Sequence, residues 1–132
     1  GLGGTGSAIF NYMKKTYPKK KYIVVTSKKI FLKSRNIKVI PSINEDFLRE
    51  KCLIINCTPL GSNLKKNYKN KTPIKKKFFP YINKSSFIFD IIYSPKKTTL
   101  IQYSKKFKIG CINGIKMNTL QAKKALQIVF KK

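Results

Sequence analysis

The stretch Gly1-Leu2-Gly3-Gly4-Thr5-Gly6-Ser7-Ala8 decides how the rest of the chain is read. Four glycines fall within six positions, and an apolar periodic run follows at once. Glycine serves where main chain turns tightly or where a ligand lies against bare backbone. A helix that opens there presents unpaired N–H groups and the positive end of its dipole, which suits a phosphate or pyrophosphate. The spacing Gly1-x-Gly3-x-x-Gly6 is that of a dinucleotide fingerprint, which in its usual setting follows a strand. No strand precedes it here and there is no initiator Met, so the expectation is a chain cut at this loop, its first strand missing. The competing reading, a flexible glycine-rich end, is opposed by the helical run that follows.

Outward from the loop, Ala8, Ile9, Tyr12 and Met13 recur at helical spacing and predict a helix from Ser7 to about Lys15, ended by Pro18 and the lysines at 19–21. Tyr22–Thr26, Ile37–Ile40, Cys52–Cys57, Phe87–Tyr93 and Lys108–Ile112 read as strands, several apolar on both faces. Between them, Ile30–Ser34 suggests a short helix, Glu45–Glu50 a brief polar helix or turn, and Thr99–Phe107 a helix. Residues 62–77 read as a surface loop rich in lysine and asparagine, and Phe78–Asn83 is ambiguous. Asn113-Gly114 makes a turn, and Thr119 to about Phe130 closes the chain as a helix. Strands alternating with helices predict an α/β fold: a Rossmann-like open, mostly parallel sheet with helices on both faces. Residues 1–132 form one domain, with no internal repeat.

A net charge of +26, from 30 lysines and arginines against four acids, raises the question of nucleic acid. Only Arg35 and Arg49 are arginines, whereas phosphate and base readers favour arginine's planar fork. The lysines are spread over the whole chain, and Asn, Ile, Phe and Tyr, which share A/T-rich codons with Lys, are abundant too. A drift in coding composition accounts for this, so no specific nucleic-acid partner is expected. No apolar run approaches a membrane span and no signal peptide is evident. Cys52, Cys57 and Cys111 lack metal-like spacing and read as buried free thiols of a reducing cytoplasm.

In a parallel α/β sheet the ligand binds at the carboxyl ends of the strands. That rim collects the glycine loop, Thr26-Ser27-Lys28-Lys29, Asn56-Cys57-Thr58-Pro59-Leu60-Gly61, Asp90 to Pro95, and Asn113-Gly114. An NAD site usually places an acid after its second strand to hold the ribose 2′-hydroxyl. Two hydroxyls and two lysines stand there instead, which favours NADP, although the general lysine excess offers a plainer explanation.

With these segments in view, the chain resembles the cofactor-binding half of shikimate dehydrogenase. The likeness rests on Gly1 to Gly6, Ile54 to Gly61, Phe89-Asp90-Ile91-Ile92-Tyr93-Ser94-Pro95, and Asn113-Gly114-Ile115-Lys116-Met117 followed by Gln121-Ala122, in the right order across nearly the whole chain. It implies an NADP-dependent oxidoreductase that interconverts 3-dehydroshikimate and shikimate in aromatic amino-acid synthesis. By the same resemblance, Gly1, Gly3, Gly4 and Thr5 would lie along the pyrophosphate, and Thr26, Ser27, Lys28 and Lys29 would take the 2′-phosphate. Ile91 and Gly114 would approach the nicotinamide, and Tyr93 and Gln121 would reach the substrate. A phenol and an amide suit a polyhydroxy ring acid, since each donates and accepts hydrogen bonds.

Departures accompany the likeness. The family's arginine in the 2′-phosphate segment is absent, Ile91 stands where many members carry methionine, and Lys116 stands where they carry glycine. The family's catalytic lysine and aspartate belong to an amino-terminal domain absent here, so no catalytic residue is expected in this chain. The complete protein is expected to be cytoplasmic, with a homodimer left open. The alternatives are a quinate/shikimate dehydrogenase relative using NAD and a non-catalytic nucleotide-binding remnant.

Overall fold

The computed structural model describes residues 1–30, 32 and 34–130. The first helix, α1 (Gly4–Thr16), starts three residues earlier than the apolar period indicates. Gly3 caps it in an extended conformation, and Lys14 and Lys15 sit in its last turn, where the helix dipole favours cations. Pro18 lies just beyond its end, and Tyr17 N–H closes the last turn on Met13 O at 2.8 Å.

Strands β1 (Tyr22–Val25) and β2 (Ile37–Ile40) pair in parallel, Tyr22 opposite Ile37 through Val25 opposite Ile40. The Phe10 ring of α1 meets Tyr22 edge-on at 5.8 Å. The Tyr22 hydroxyl lies 2.7 Å from both Met13 O and Tyr17 O, so it donates into the open carbonyl end of the helix. The short helix expected over Ile30–Ser34 includes Phe31 and Lys33, which lie outside the described residues.

A second parallel sheet holds β3 (Leu53–Asn56), β4 (Phe87–Asp90) and β5 (Gly110–Asn113) in that order. Four helical segments accompany it: α2 (Asp46–Arg49), a 3₁₀ helix (Lys76–Tyr81), α3 (Thr99–Lys106) and α4 (Ile115–Val129). One face of the sheet makes the core. Ile88 is fully buried there among Leu48, Phe79, Ile82, Leu100 and Ile109, with Ile54 and Cys111 packed alongside. The opposite face, Leu53, Phe87 and Ile112, remains 43–51% exposed. Helix α4 leaves an open groove of about 620 Å³ over that face and buries none of its own residues.

The parallel α/β order is as the sequence predicts, but the sheet is not continuous. Among the described residues β1 pairs only with β2 and β3 only with β4, so both keep an unpaired edge. The three thiols are free and half-buried rather than fully buried. No helix among the described residues is long and apolar enough to cross a membrane.

Candidate functional site

The carboxyl ends of β3, β4 and β5 are in register, with Asn56, Asp90 and Asn113 side by side. Each of the three side chains folds back on nearby main chain and ends its strand. Asn56 Oδ1 accepts the Thr58 amide at 2.9 Å and the Thr58 hydroxyl at 2.7 Å, which turns the chain sharply into Pro59. Asp90 Oδ1 accepts the Ile92 amide at 3.2 Å, and Asn113 Oδ1 accepts the Ile115 amide at 3.2 Å. Such side-chain bonds two residues ahead compete with the strand ladder and start loops. This is why β4 stops at Asp90 although the apolar run continues to Tyr93.

The Asp90 carboxylate is fully buried. Besides Ile92 it accepts Asn56 Nδ2 at 3.0 Å and the Thr98 hydroxyl at 2.6 Å. Thr98 caps α3, its hydroxyl oxygen taking the Ile101 amide at 3.2 Å. Burial pushes the Asp90 carboxyl above the usual carboxylate range, while the bonds from Thr98, Ile92 and Asn56 pull the other way.

The glycine loop reaches this rim. A Cβ on Gly6 would stand 2.2 Å from Gly1 O and 3.2 Å from Cys57 Cβ, so only glycine fits between the loop and the end of β3. A Cβ on Gly1 would stand 2.8 Å from the Thr58 methyl group. At Gly3 and Gly4, by contrast, nothing lies within 4 Å of where a side chain would begin. Open space therefore borders bare main chain at the start of α1, whose first turn carries no acid and whose cap has no side-chain bond. Free N–H groups, a positive dipole end and room beside them fit a pyrophosphate. Gly3, Gly4 and Thr5 are exposed on this surface, as is Gly1.

Across the rim, Gly114 and Ile91 come together. Gly114 N–H donates to Ile92 O at 3.0 Å, and a Cβ on Gly114 would meet Ile91 O at 1.9 Å. Thr26 extends the β1–β2 ladder through its amide to Ile40 O at 3.0 Å and accepts the Lys28 amide on its hydroxyl at 3.2 Å. Ser27, Lys28 and Lys29 are exposed in the turn that follows, with no acid among them. Tyr93 stands 53% exposed after β4, and Gln121 lines the groove between α4 and the sheet. Tyr93 is not part of that lining, so these two residues do not share a pocket in this chain. Among the described residues, no cluster of three His, Cys, Asp or Glu could hold a metal ion. Thr98 belongs to none of the sequence motifs; its signal is a threonine just ahead of an apolar helical run, the usual place of an N-cap.

No protein-family profile matches the chain. Curated relatives do. The NADP(+) shikimate dehydrogenase of Clostridium botulinum (strain 657 / Type Ba4) is 32% identical over 128 residues, 96% of this chain and 47% of that protein. The enzyme of the same name from Prochlorococcus marinus (strain MIT 9312) is 34% identical over 82 residues, 62% of this chain and 29% of that protein. Among solved structures, a chorismate mutase/shikimate 5-dehydrogenase fusion protein from Clostridium acetobutylicum superposes with a TM-score of 0.71 at 30% identity. It covers 97% of this chain and 43% of its own. Shikimate dehydrogenase 1 from Peptoclostridium difficile gives 0.72 at 25% identity, covering 97% and 45%. The chain thus spans about half the length of the C. botulinum relative and of these solved chains. Sequence and fold agree along nearly all of it, and over the half that it spans the chain is similar to the shikimate dehydrogenases.

Proposed function

We propose that this chain is the carboxyl-terminal, NADP-binding half of a shikimate dehydrogenase, an enzyme of the reversible reduction of 3-dehydroshikimate to shikimate. The observation that carries the reading is the convergence of the α1 N-terminus, the Asn56–Pro59 turn and the Ile91–Gly114 contact on one rim of a parallel sheet. In this reading Gly1, Gly3, Gly4 and Thr5 hold the pyrophosphate on backbone N–H groups. Thr26, Ser27, Lys28 and Lys29 hold the 2′-phosphate, with lysine charge in place of the family's arginine. Ile91 and the bare backbone of Gly114 flank the nicotinamide, which when bound supplies the hydride.

Tyr93 and Gln121 would orient the ring acid from the cofactor side. Reduction of a ketone also needs a proton donor at the carbonyl oxygen. The chain contains no histidine, and the reading assigns it no catalytic residue. In this reading the proton is handled by the remaining half of the enzyme, in a cytoplasmic protein whose partners are small molecules rather than nucleic acid.

The test is the double variant Lys28→Ala/Lys29→Ala, titrated with NADPH and NADH by nicotinamide fluorescence. Two lost charge-assisted contacts should weaken NADPH by about tenfold and leave NADH within about twofold. Equal loss for both cofactors, or none for either, would overturn the assignment of these lysines.

A further inference from the structure

We propose that Asp90 is a positioning residue, which fixes the three loops of the rim as one unit and so preforms the nicotinamide side of the site. The inference rests on the cofactor reading above, but its geometry is independent of it. Two carboxylate oxygens collect three donors from three segments: Asn56 Nδ2 from the end of β3, the Ile92 amide from the loop after β4, and the Thr98 hydroxyl from the start of α3. Each donor leads one step further. Asn56 holds Thr58, against whose methyl group Gly1 packs. Ile92 O receives the Gly114 amide, at the start of α4. Thr98 receives the Ile101 amide and so caps α3. One side chain thus ties together the glycine loop, the Pro59 turn, the Ile91–Tyr93 segment and two helix starts.

Charge balance does not explain the residue. The chain has 30 cationic side chains, yet the one ion pair among the described residues is Arg49 with Glu45. A fully buried carboxylate without a cation is costly unless its hydrogen bonds are complete. Here they are complete, and every donor is neutral. An asparagine in its place keeps an acceptor for Asn56 and Ile92 but turns an N–H₂ towards Thr98, whose hydroxyl must then reverse from donor to acceptor, and all three bonds lose the carboxylate's charge. The hub is built for a carboxylate, and the segments that it joins are those assigned to the nicotinamide and the adjoining phosphate. Thr26 to Lys29, assigned to the adenosine 2′-phosphate, stand outside it.

That division supplies the experiment. NADPH and 2′,5′-ADP are titrated against the wild-type chain and Asp90→Asn. Loosening of the rim should weaken NADPH by about tenfold while 2′,5′-ADP stays within about twofold. Equal weakening of both ligands would make Asp90 a general support of the fold, and no weakening of either would remove its role; both results overturn the proposal. Thr98→Val and Thr98→Ser provide a milder pair should Asp90→Asn fail to fold. Valine should reproduce the selective loss and serine, which keeps the hydroxyl, should restore binding. A loss with serine as large as with valine overturns the proposal. Amide hydrogen exchange by NMR reads the hub without any ligand. In Asp90→Asn or Thr98→Val the Thr58, Ile92 and Gly114 amides should exchange faster together, while Val24 and Val39 keep their protection. Acceleration confined to Ile92, or spread evenly over both sheets, refutes the hub. If wild type binds neither nucleotide, the cofactor reading fails, and the exchange pattern still decides the role of Asp90.

Discussion

Replacing Gly114 by alanine should be among the most damaging single-methyl changes in the chain. The added carbon would stand 1.9 Å from Ile91 O, 2.4 Å from Ile91 C and 3.1 Å from Ile91 Cα. Real contacts of this kind essentially never fall below 3.0 Å, so the backbone after β4 or before α4 has to open by about an ångström. The obstacle is main chain, which has no alternative rotamer. The same opening stretches the 3.0 Å bond from Gly114 N–H to Ile92 O. Overpacking of this sort costs about 3 kcal/mol. With a urea slope of about 1.5 kcal/mol/M, expected for a domain of this size, the midpoint should fall by about 2 M. Gly3→Ala is the control. Its Cβ meets nothing within 4 Å, and its extended backbone (φ −83°, ψ −169°) is open to alanine. A poorer cap and a stiffer unfolded chain roughly cancel, leaving a change within about 0.5 kcal/mol. Urea unfolding followed by circular dichroism measures both. Equal midpoints for Gly114→Ala and wild type would refute the close approach of Gly114 to Ile91 and, with it, the shape given to the nicotinamide side of the rim.

Two further outcomes are expected. Tyr22→Phe removes the hydroxyl shared between Met13 O and Tyr17 O and should cost about 1 kcal/mol in the same unfolding assay, since those carbonyls can turn to water instead; a change below about 0.3 kcal/mol would show that the α1 end is not held there. Because burial raises the Asp90 carboxyl in the folded state, the native protein holds more protons than the unfolded chain from the ordinary value of 3.8 up to the raised one. The contribution of Asp90 to stability therefore declines as pH rises through that window and is flat above it. Asp90→Asn should lack this decline, and parallel pH–stability profiles for the two proteins would contradict the direction of the shift.

Much of the architecture is written in local sequence, and its failures have definite causes. Ile54-Ile55 and Phe87-Ile88-Phe89 announce strands because β-branched and aromatic runs of that length have few other uses. The run continues past Asp90 in composition but not in structure, because the Asp90 side chain captures the Ile92 amide. Apolar pattern cannot register that competition. The apolar period predicts α4 only from Thr119, since Lys116 and Asn118 interrupt it; the helix begins at Ile115, where Asn113 receives the first free amide. Gly4 and Gly6 are poor helix formers, so the apolar period predicts α1 only from Ser7, yet the helix starts at Gly4, and at Gly6 the approach of Gly1 and Cys57 leaves room for glycine alone. The 3₁₀ helix at Lys76–Tyr81 contains Pro80 and has no 3.6-residue repeat to betray it. At the site, the motif residues were legible, but the links among Asn56, Asp90 and Thr98 span 34 and eight positions and exist only once the strands align.

The unpaired edges of β1 and β3 have a colloidal consequence. Each edge offers a row of free backbone groups, beside Ile23 and Leu53, which are 43% and 51% exposed. Such an edge is a template for pairing with another chain. A net charge of +26 holds copies apart over roughly one Debye length, about 10 Å at 0.1 M salt and about 3 Å at 1 M. Wherever such an edge is open, the dispersed lysines act as its gatekeepers, and added salt, by thinning that repulsion, favours pairing between copies.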